Sequence, residues 1–272
     1  LPSRTFLARL ADSELARMGL YSNSIPAHLD FVSSLAFNPD GTLLASGSFR
    51  EVKLWRFSPP LPVGFSRTGG GDVRVLSSSR DGRWLAVGDA SGRITVRDIE
   101  RGKTIARWKG QPSAVLALDV SPDSCRLLSV HAGQTTLEIR RPFPASAARV
   151  VETGREVLAA SWLAGEGTFA VGHPDGTVRV WREVGGSPAS FELLMELTGR
   201  GDPPTCLARL GTNSFVSGGP DGVARIWSLE SRAVYRELRH GAPITSVAVS
   251  PDGKRMATAG TDGAVRLWEP AT

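Results

Sequence analysis

Apolar and polar residues alternate along this chain in short bursts of period two. The stretch "ITSVAVSPDGKRMATAGTDGAVRLW", Ile244 to Trp268, holds three such bursts separated by Pro-Asp-Gly and Thr-Asp-Gly. Alternation of this kind predicts β-strands with one face buried. Pro presets the backbone angle a tight turn needs, and Gly accepts a positive one. The segment therefore predicts three short strands, "ITSVAV", "RMATAG" and "AVRLW". A fourth, looser strand follows other copies, as in "KTIARW" and "AVYREL".

The same pattern recurs. "VSSLAFNPDGTLLASGSFREVKLW" runs from Val32 to Trp55, and further copies start at Val73, Val115, Val157 and Pro204. The last residues of the six copies are 55, 97, 140, 181, 227 and 268, so the period is 41 to 46 residues. Self-similarity at this spacing is the mark of a repeat architecture. A four-stranded unit cannot bury both faces alone, and radial stacking of such units around an axis solves that problem.

Period, turns and strand pattern resemble the WD-repeat β-propellers, in a bacterial-type form with degenerate repeats. The resemblance implies an all-β fold of six four-stranded antiparallel blades over residues 20–272. The last blade would be completed by an N-terminal strand, "LYSNSI", Leu20 to Ile25. The alternative is seven blades with one missing. The family's structural tetrad is matched in full by His240, Thr258, Asp262 and Trp268. The fifth copy keeps Ser217, Asp221 and Trp227 with Arg200 in the histidine position, and the fourth keeps Asp175 and Trp181 with Val171 at the hydroxyl position. The second and third copies end in Arg97 and Arg140 rather than Trp. Residues 1–19 stand outside the repeat, and Leu7, Leu10, Leu15 and Met18 space as a short helix or linker. The chain opens on Leu1 and stops at "WEPAT", from which we expect a propeller that was part of a larger protein.

Composition changes this picture little. Hydrophobic residues make up 41% and charged residues 22% of 272, as in an ordinary globular protein. A net charge of +5 invites a nucleic-acid partner, but the 28 arginines are scattered rather than gathered on one element. No apolar run is long enough to span a membrane. Compartment stays open: cytoplasmic, or periplasmic if the parent chain carries a cytochrome-like domain.

No catalytic constellation emerges and no cofactor is implied. Asp40, Asp81, Asp123, Asp175, Asp221, Asp252 and Asp262 sit in turns, not in acid–base pairs. His28 and His240 fall at the structural position, while His131 and His173 follow second strands without neighbouring metal ligands. Cys125 and Cys206 fit neither a metal spacing nor a disulfide framework, and read as buried or half-buried side chains. "RTGGGDV" leads into a strand, so it fails as a phosphate loop. In the axial channel, Asp119 and Cys206 alone make no small-molecule site, and no such substrate is expected. Trp84 reads as packed on a neighbouring blade.

The resemblance implies a non-catalytic scaffold that docks a protein, a peptide or an adjacent domain of its own chain on the top face. The alternative is an accessory module that positions a catalytic or cytochrome-like domain. Candidate partner-binding residues in top-face loops are Asp30, Phe49, Arg50, Arg155, His173, Arg200 and Asp202. Phe49 beside Arg50 replaces an Asp-Gly turn and reads either as an interface anchor or as a side chain folded back onto the next blade.

Overall fold

The computed structural model describes residues 6–9, 33–37, 43–48, 51–57, 60–67, 72–98, 101, 103–109, 111–142, 147–164, 167–185, 190–198, 202–250 and 252–270. Each repeat folds into its strands because two turns fix its corners. In the turn after the first strand, Ser79, Ser121 and Ser250 donate to Asp81, Asp123 and Asp252. Those carboxylates accept the backbone N–H of Arg83, Cys125 and Lys254 at 3.1, 2.9 and 3.0 Å. The turn thus closes on side-chain bonds to its own backbone. In the turn after the second strand, Asp175, Asp221 and Asp262 accept from the residue two positions on.

The first blade comprises β2 (Ser34–Phe37), β3 (Leu43–Ser48), β4 (Glu51–Phe57) and β5 (Pro60–Arg67). The second holds β6 (Val73–Ser78), β7 (Trp84–Asp89), β8 (Arg93–Asp98) and β9 (Thr104–Lys109), and the third β10 (Val115–Val120), β11 (Leu127–His131), β12 (Thr136–Arg140) and β13 (Arg149–Glu152). The fourth is β14 (Ala159–Trp162), β15 (Thr168–Gly172), β16 (Thr177–Val184) and β17 (Ser190–Thr198). The fifth is β18 (Cys206–Leu210), β19 (Ser214–Gly218), β20 (Val223–Ser228) and β21 (Ala233–Arg239). Strands pair antiparallel in chain order within each blade.

The remaining sheet is composite. It joins β22 (Ile244–Val249), β23 (Met256–Gly260) and β24 (Val265–Trp268) to β1 (Phe6–Arg9) from the other end of the chain. Phe6 stands opposite Trp268 and Arg9 opposite Arg266. The expectations of six blades closed by residues 20–25, and of seven, are corrected here. Five blades form from consecutive strands, and the ring closes through a sheet shared by both ends of the chain. The closing strand is residues 6–9, placed in a helical or linker segment by the spacing of Leu7 and Leu10. Residues 20–25 lie outside the described residues. The physical reason is that the open ladder edge of β24 decides the conformation of "FLAR", overriding a weak local periodicity.

The core sits between the sheets. Trp84, Ile94 and Val96 of the second blade pack with Val115, Leu118 and Val120 of the third, which places Trp84 in the core. Leu35, Phe37 and Leu44 of the first blade pack in the same way on Ala257, Val265 and Leu267 of the composite sheet. Glycine permits the closest approaches. A Cβ on Gly88 would stand 2.7 Å from Val115, and one on Gly218 2.7 Å from Ile244. In both cases the first residue of the next inner strand occupies the missing side chain's space.

Polar side chains lock adjacent inner strands together. Ser246 accepts the Leu35 N–H at 2.8 Å, Ser77 that of Val120 at 3.0 Å and Asp119 that of Trp162 at 2.7 Å. Ser34 accepts the Leu76 N–H in the same way. Among the described residues no helix is long and apolar enough to cross a membrane.

Candidate functional site

The inner strands leave an axial channel with two mouths. The top mouth, where inner strands begin, is a cavity of about 440 Å³ walled by residues such as Leu116, Leu158, Cys206, Pro220 and Pro243. Arg74 stands at its rim, exposed, and among the described residues it has no hydrogen-bond or ion-pair partner. The lower mouth is a smaller cavity of about 140 Å³ with a polar wall. There Asp119 Oδ2 accepts from Ser161 Oγ and the Trp162 N–H, both at 2.7 Å, and Oδ1 lies 3.3 Å from Ser77 Oγ. Burial pushes the Asp119 carboxyl up to about 6, against the pull of those hydrogen bonds.

The sequence reading that the channel lacks converging polar groups is therefore corrected at the lower mouth. Ser77, Asp119 and Ser161 occupy the same position of three successive inner strands, and only the packing of neighbouring blades brings them together. Cys206 belongs to the top mouth instead. Burial pushes its thiol up to about 12, which keeps it protonated. Cys125, expected to be buried or half-buried, is exposed in a turn.

On the top face the tetrad residues form a connected network. Trp268 Nε1–H donates to Thr258 Oγ1 at 2.9 Å, and His240 Nδ1 lies 2.7 Å from the same oxygen. His240 Nε2 lies 3.3 Å from Asp262 Oδ1 and also meets the Arg266 guanidinium. Burial, then the positive charge of Arg266, hold the His240 pKa below its ordinary value, so the ring is neutral at pH 7.

The degenerate repeats break this network in complementary halves. In the fifth blade Trp227 Nε1–H still donates to Ser217 Oγ at 2.8 Å. In the fourth, Val171 offers no oxygen, and the buried Trp181 Nε1–H has no partner among the described residues. In the third, Arg140 replaces the tryptophan, and the buried Ser129 Oγ has none. An unmade buried hydrogen bond costs more than a made one contributes. Val171→Thr should stabilise the protein by about 1 kcal/mol, while Thr258→Val, which orphans two groups, should cost about 2 kcal/mol. Urea unfolding of the two variants checks both signs.

The sequence-predicted partner-binding residues divide. Asp30, Phe49, Arg50 and Arg200 lie outside the described residues. Arg155 Nη1 donates to Asp175 Oδ2 at 2.6 Å on the surface of the fourth blade. Asp202 is exposed, 3.5 Å from Arg225. His173 is buried rather than solvent-facing. Its Nδ1 lies 2.8 Å from the Glu156 carbonyl, and burial lowers its pKa. His131 is likewise buried, with Nδ1 3.3 Å from the Ser113 carbonyl.

Sequence reasoning missed the arginines of the third strands. Arg225 Nη2 donates to Asp221 at 2.5 Å, and its Nε lies 3.3 Å from Glu237. Arg266 Nη2 donates to Asp262 at 3.0 Å, and Arg179 Nε to Glu196 at 2.7 Å. The signal was present as "DGTVR", "DGVAR" and "DGAVR", an acid four residues before an arginine in three consecutive copies. These pairs ring the upper side of three neighbouring sheets with fixed charge. Among the described residues no three His, Cys, Asp or Glu side chains could hold a metal ion.

Residues 19–56 and 233–269 match the family model described as WD domain, G-beta repeat. Autophagy-related protein 16 of Arabidopsis thaliana is 25% identical over 91% of this chain and 49% of its own length. The small ribosomal subunit protein RACK1y of Oryza sativa is 26% identical over 58% of the chain and 49% of itself. An uncharacterized WD repeat-containing protein of Synechocystis is 25% identical over 57% of the chain and 42% of itself. The chain spans about half the length of the curated relatives it matches. Repeat period, blade topology, tetrad and relatives agree in supporting a WD-repeat β-propeller, the family to which this chain is similar.

Proposed function

We propose that this propeller is a non-catalytic docking module whose top mouth receives an extended segment of a protein partner or of an adjacent domain of its parent chain. WD-repeat propellers related to it serve generally as protein-interaction scaffolds. The observation that carries the reading is the top mouth itself. It is open and mostly apolar, and its walls come from strands fixed on both sides by neighbouring blades. A rigid apolar recess with a few polar groups at the rim favours one inserted apolar side chain over a flat surface contact. The unpaired Arg74 at that rim adds a preference for an acidic residue beside the inserted one. Arg155, Asp175 and Asp202 lie around the same face and would set orientation rather than affinity, since exposed ion pairs contribute little.

Panning a random peptide library on the immobilised protein tests this. Enriched peptides should carry an apolar residue next to an acid, and Leu116→Asp and Arg74→Glu should each weaken their binding roughly tenfold or more, about 1.4 kcal/mol. Peptides that bind both variants as well as the wild type would remove the top mouth as the docking site. Affinity for duplex DNA that falls steeply with salt would instead favour an electrostatic nucleic-acid role.

A further inference from the structure

The lower mouth of the channel carries a feature that docking at the top does not use. Arg80, in the turn after β6, reaches the cavity, and its Nη2 is buried with no hydrogen-bond partner among the described residues. Arg209, in β18 across the ring, lines the same cavity, and among the described residues its guanidinium has no ion pair or hydrogen bond. The one acid on the described wall is Asp119, and its oxygens are already engaged by Ser161, Trp162 and Ser77. Asp119 offsets the charge of Arg80 through space without accepting its hydrogen bond. Two cations and one anion leave the described lining with one positive charge in excess. A buried guanidinium donor without an acceptor is costly, so an incoming oxyanion would satisfy both geometry and charge.

We infer that the lower mouth is a carboxylate-binding site, in which Arg80 and Arg209 receive a single carboxylate group and Ser77, Asp119 and Ser161 form the fixed wall behind it. The bottom wall is polar where the top is apolar, so the two mouths of one channel select different chemistry. Arginine suits this role because its planar fork matches a carboxylate with two parallel hydrogen bonds. A cavity of about 140 Å³ takes the end of an acidic side chain or a small free acid. The carboxylate comes either from a polypeptide or from a metabolite, and the test separates the two.

Acetate, phosphate, the capped peptide Gly-Glu-Gly and its Gln counterpart would be titrated into the isotopically labelled full chain, followed by backbone and indole NMR shifts. Saturable shifts at Ser77, Arg80, Trp162 and Arg209 are expected with acetate but not with the Gln peptide. Response to the Glu peptide assigns the source to a polypeptide, and response to acetate alone assigns it to a small acid. Arg80→Gln and Arg209→Gln should each weaken binding roughly tenfold. Asp119→Asn should tighten it, because a like charge behind the ligand is removed; a purely structural role for Asp119 predicts no such gain. Absence of saturable shifts, binding that survives both arginine variants, or phosphate binding more tightly than acetate would overturn the inference.

Discussion

Asp119→Asn should make the protein more stable at pH 7, by about 3 kcal/mol relative to its effect at pH 4. The carboxyl is held at about 6, against an ordinary value of 3.8. Between those values the folded chain keeps a proton that the unfolded chain has released. Stability therefore falls as pH rises from about 4 to about 6 and stays lowered above that range. Asparagine cannot ionise, so its variant escapes that loss. It still offers an amide oxygen to the Trp162 N–H and the Ser161 hydroxyl, and the Ser77 hydroxyl can turn to accept from its amide nitrogen. The readout is the difference in unfolding free energy between variant and wild type from pH 4 to 7, which cancels the other titrating groups. A difference that does not change with pH would show that Asp119 ionises at an ordinary value. A carboxylate kept at such a cost, beside an unsatisfied arginine, fits a lower mouth shaped for a ligand more than one shaped for stability.

Removing residues 1–9 should destabilise the disc by about 3 kcal/mol, at about 1 kcal/mol net for each ladder hydrogen bond of a four-residue strand. The effect should not stay local. β24 would become an exposed edge carrying Val265 and Leu267, both buried in the intact ring, and such edges invite pairing with other chains. Loss of closure would also loosen the seam with the first blade, where Leu35 and Phe37 pack on Ala257 and Leu267. The truncated protein should therefore unfold at lower urea and self-associate. A truncated chain with unchanged unfolding and no association would mean that the pairing of Phe6 and Arg9 with β24 contributes nothing.

Most of the blade structure was legible in the sequence because each turn is a local event. Ser-x-Asp and Asp-Gly close on their own backbone, so four residues suffice to announce them. The tetrad was legible for a related reason: its members recur at fixed offsets within one repeat. The closing strand was not. "FLAR" alternates no better than it spirals, and only the vacant edge of a strand more than 250 residues away decides its conformation. The polar lower mouth was equally hidden, because Ser77, Asp119 and Ser161 lie about 42 residues apart and meet only across blade boundaries. Aligning the copies column by column would have placed them on one ring. The same exercise would have exposed the arginines that follow the Asp-Gly turns, as the tetrad columns did the losses at Val171 and Arg140. The burial of His131 and His173 needed the fold, since one ends a second strand and the other follows one, where the pattern leaves exposure open.

The central structural claim is that both ends of the chain share one sheet, and native-state hydrogen exchange of the β24 amides tests it most directly. With residues 6–9 present, the amides of Val265 to Trp268 should exchange as slowly as those of the interior strand β20. In a chain beginning at residue 10 they should lose protection while β20 keeps its own. Equal protection of β24 in both chains would contradict the closure, and another segment would have to fill the edge.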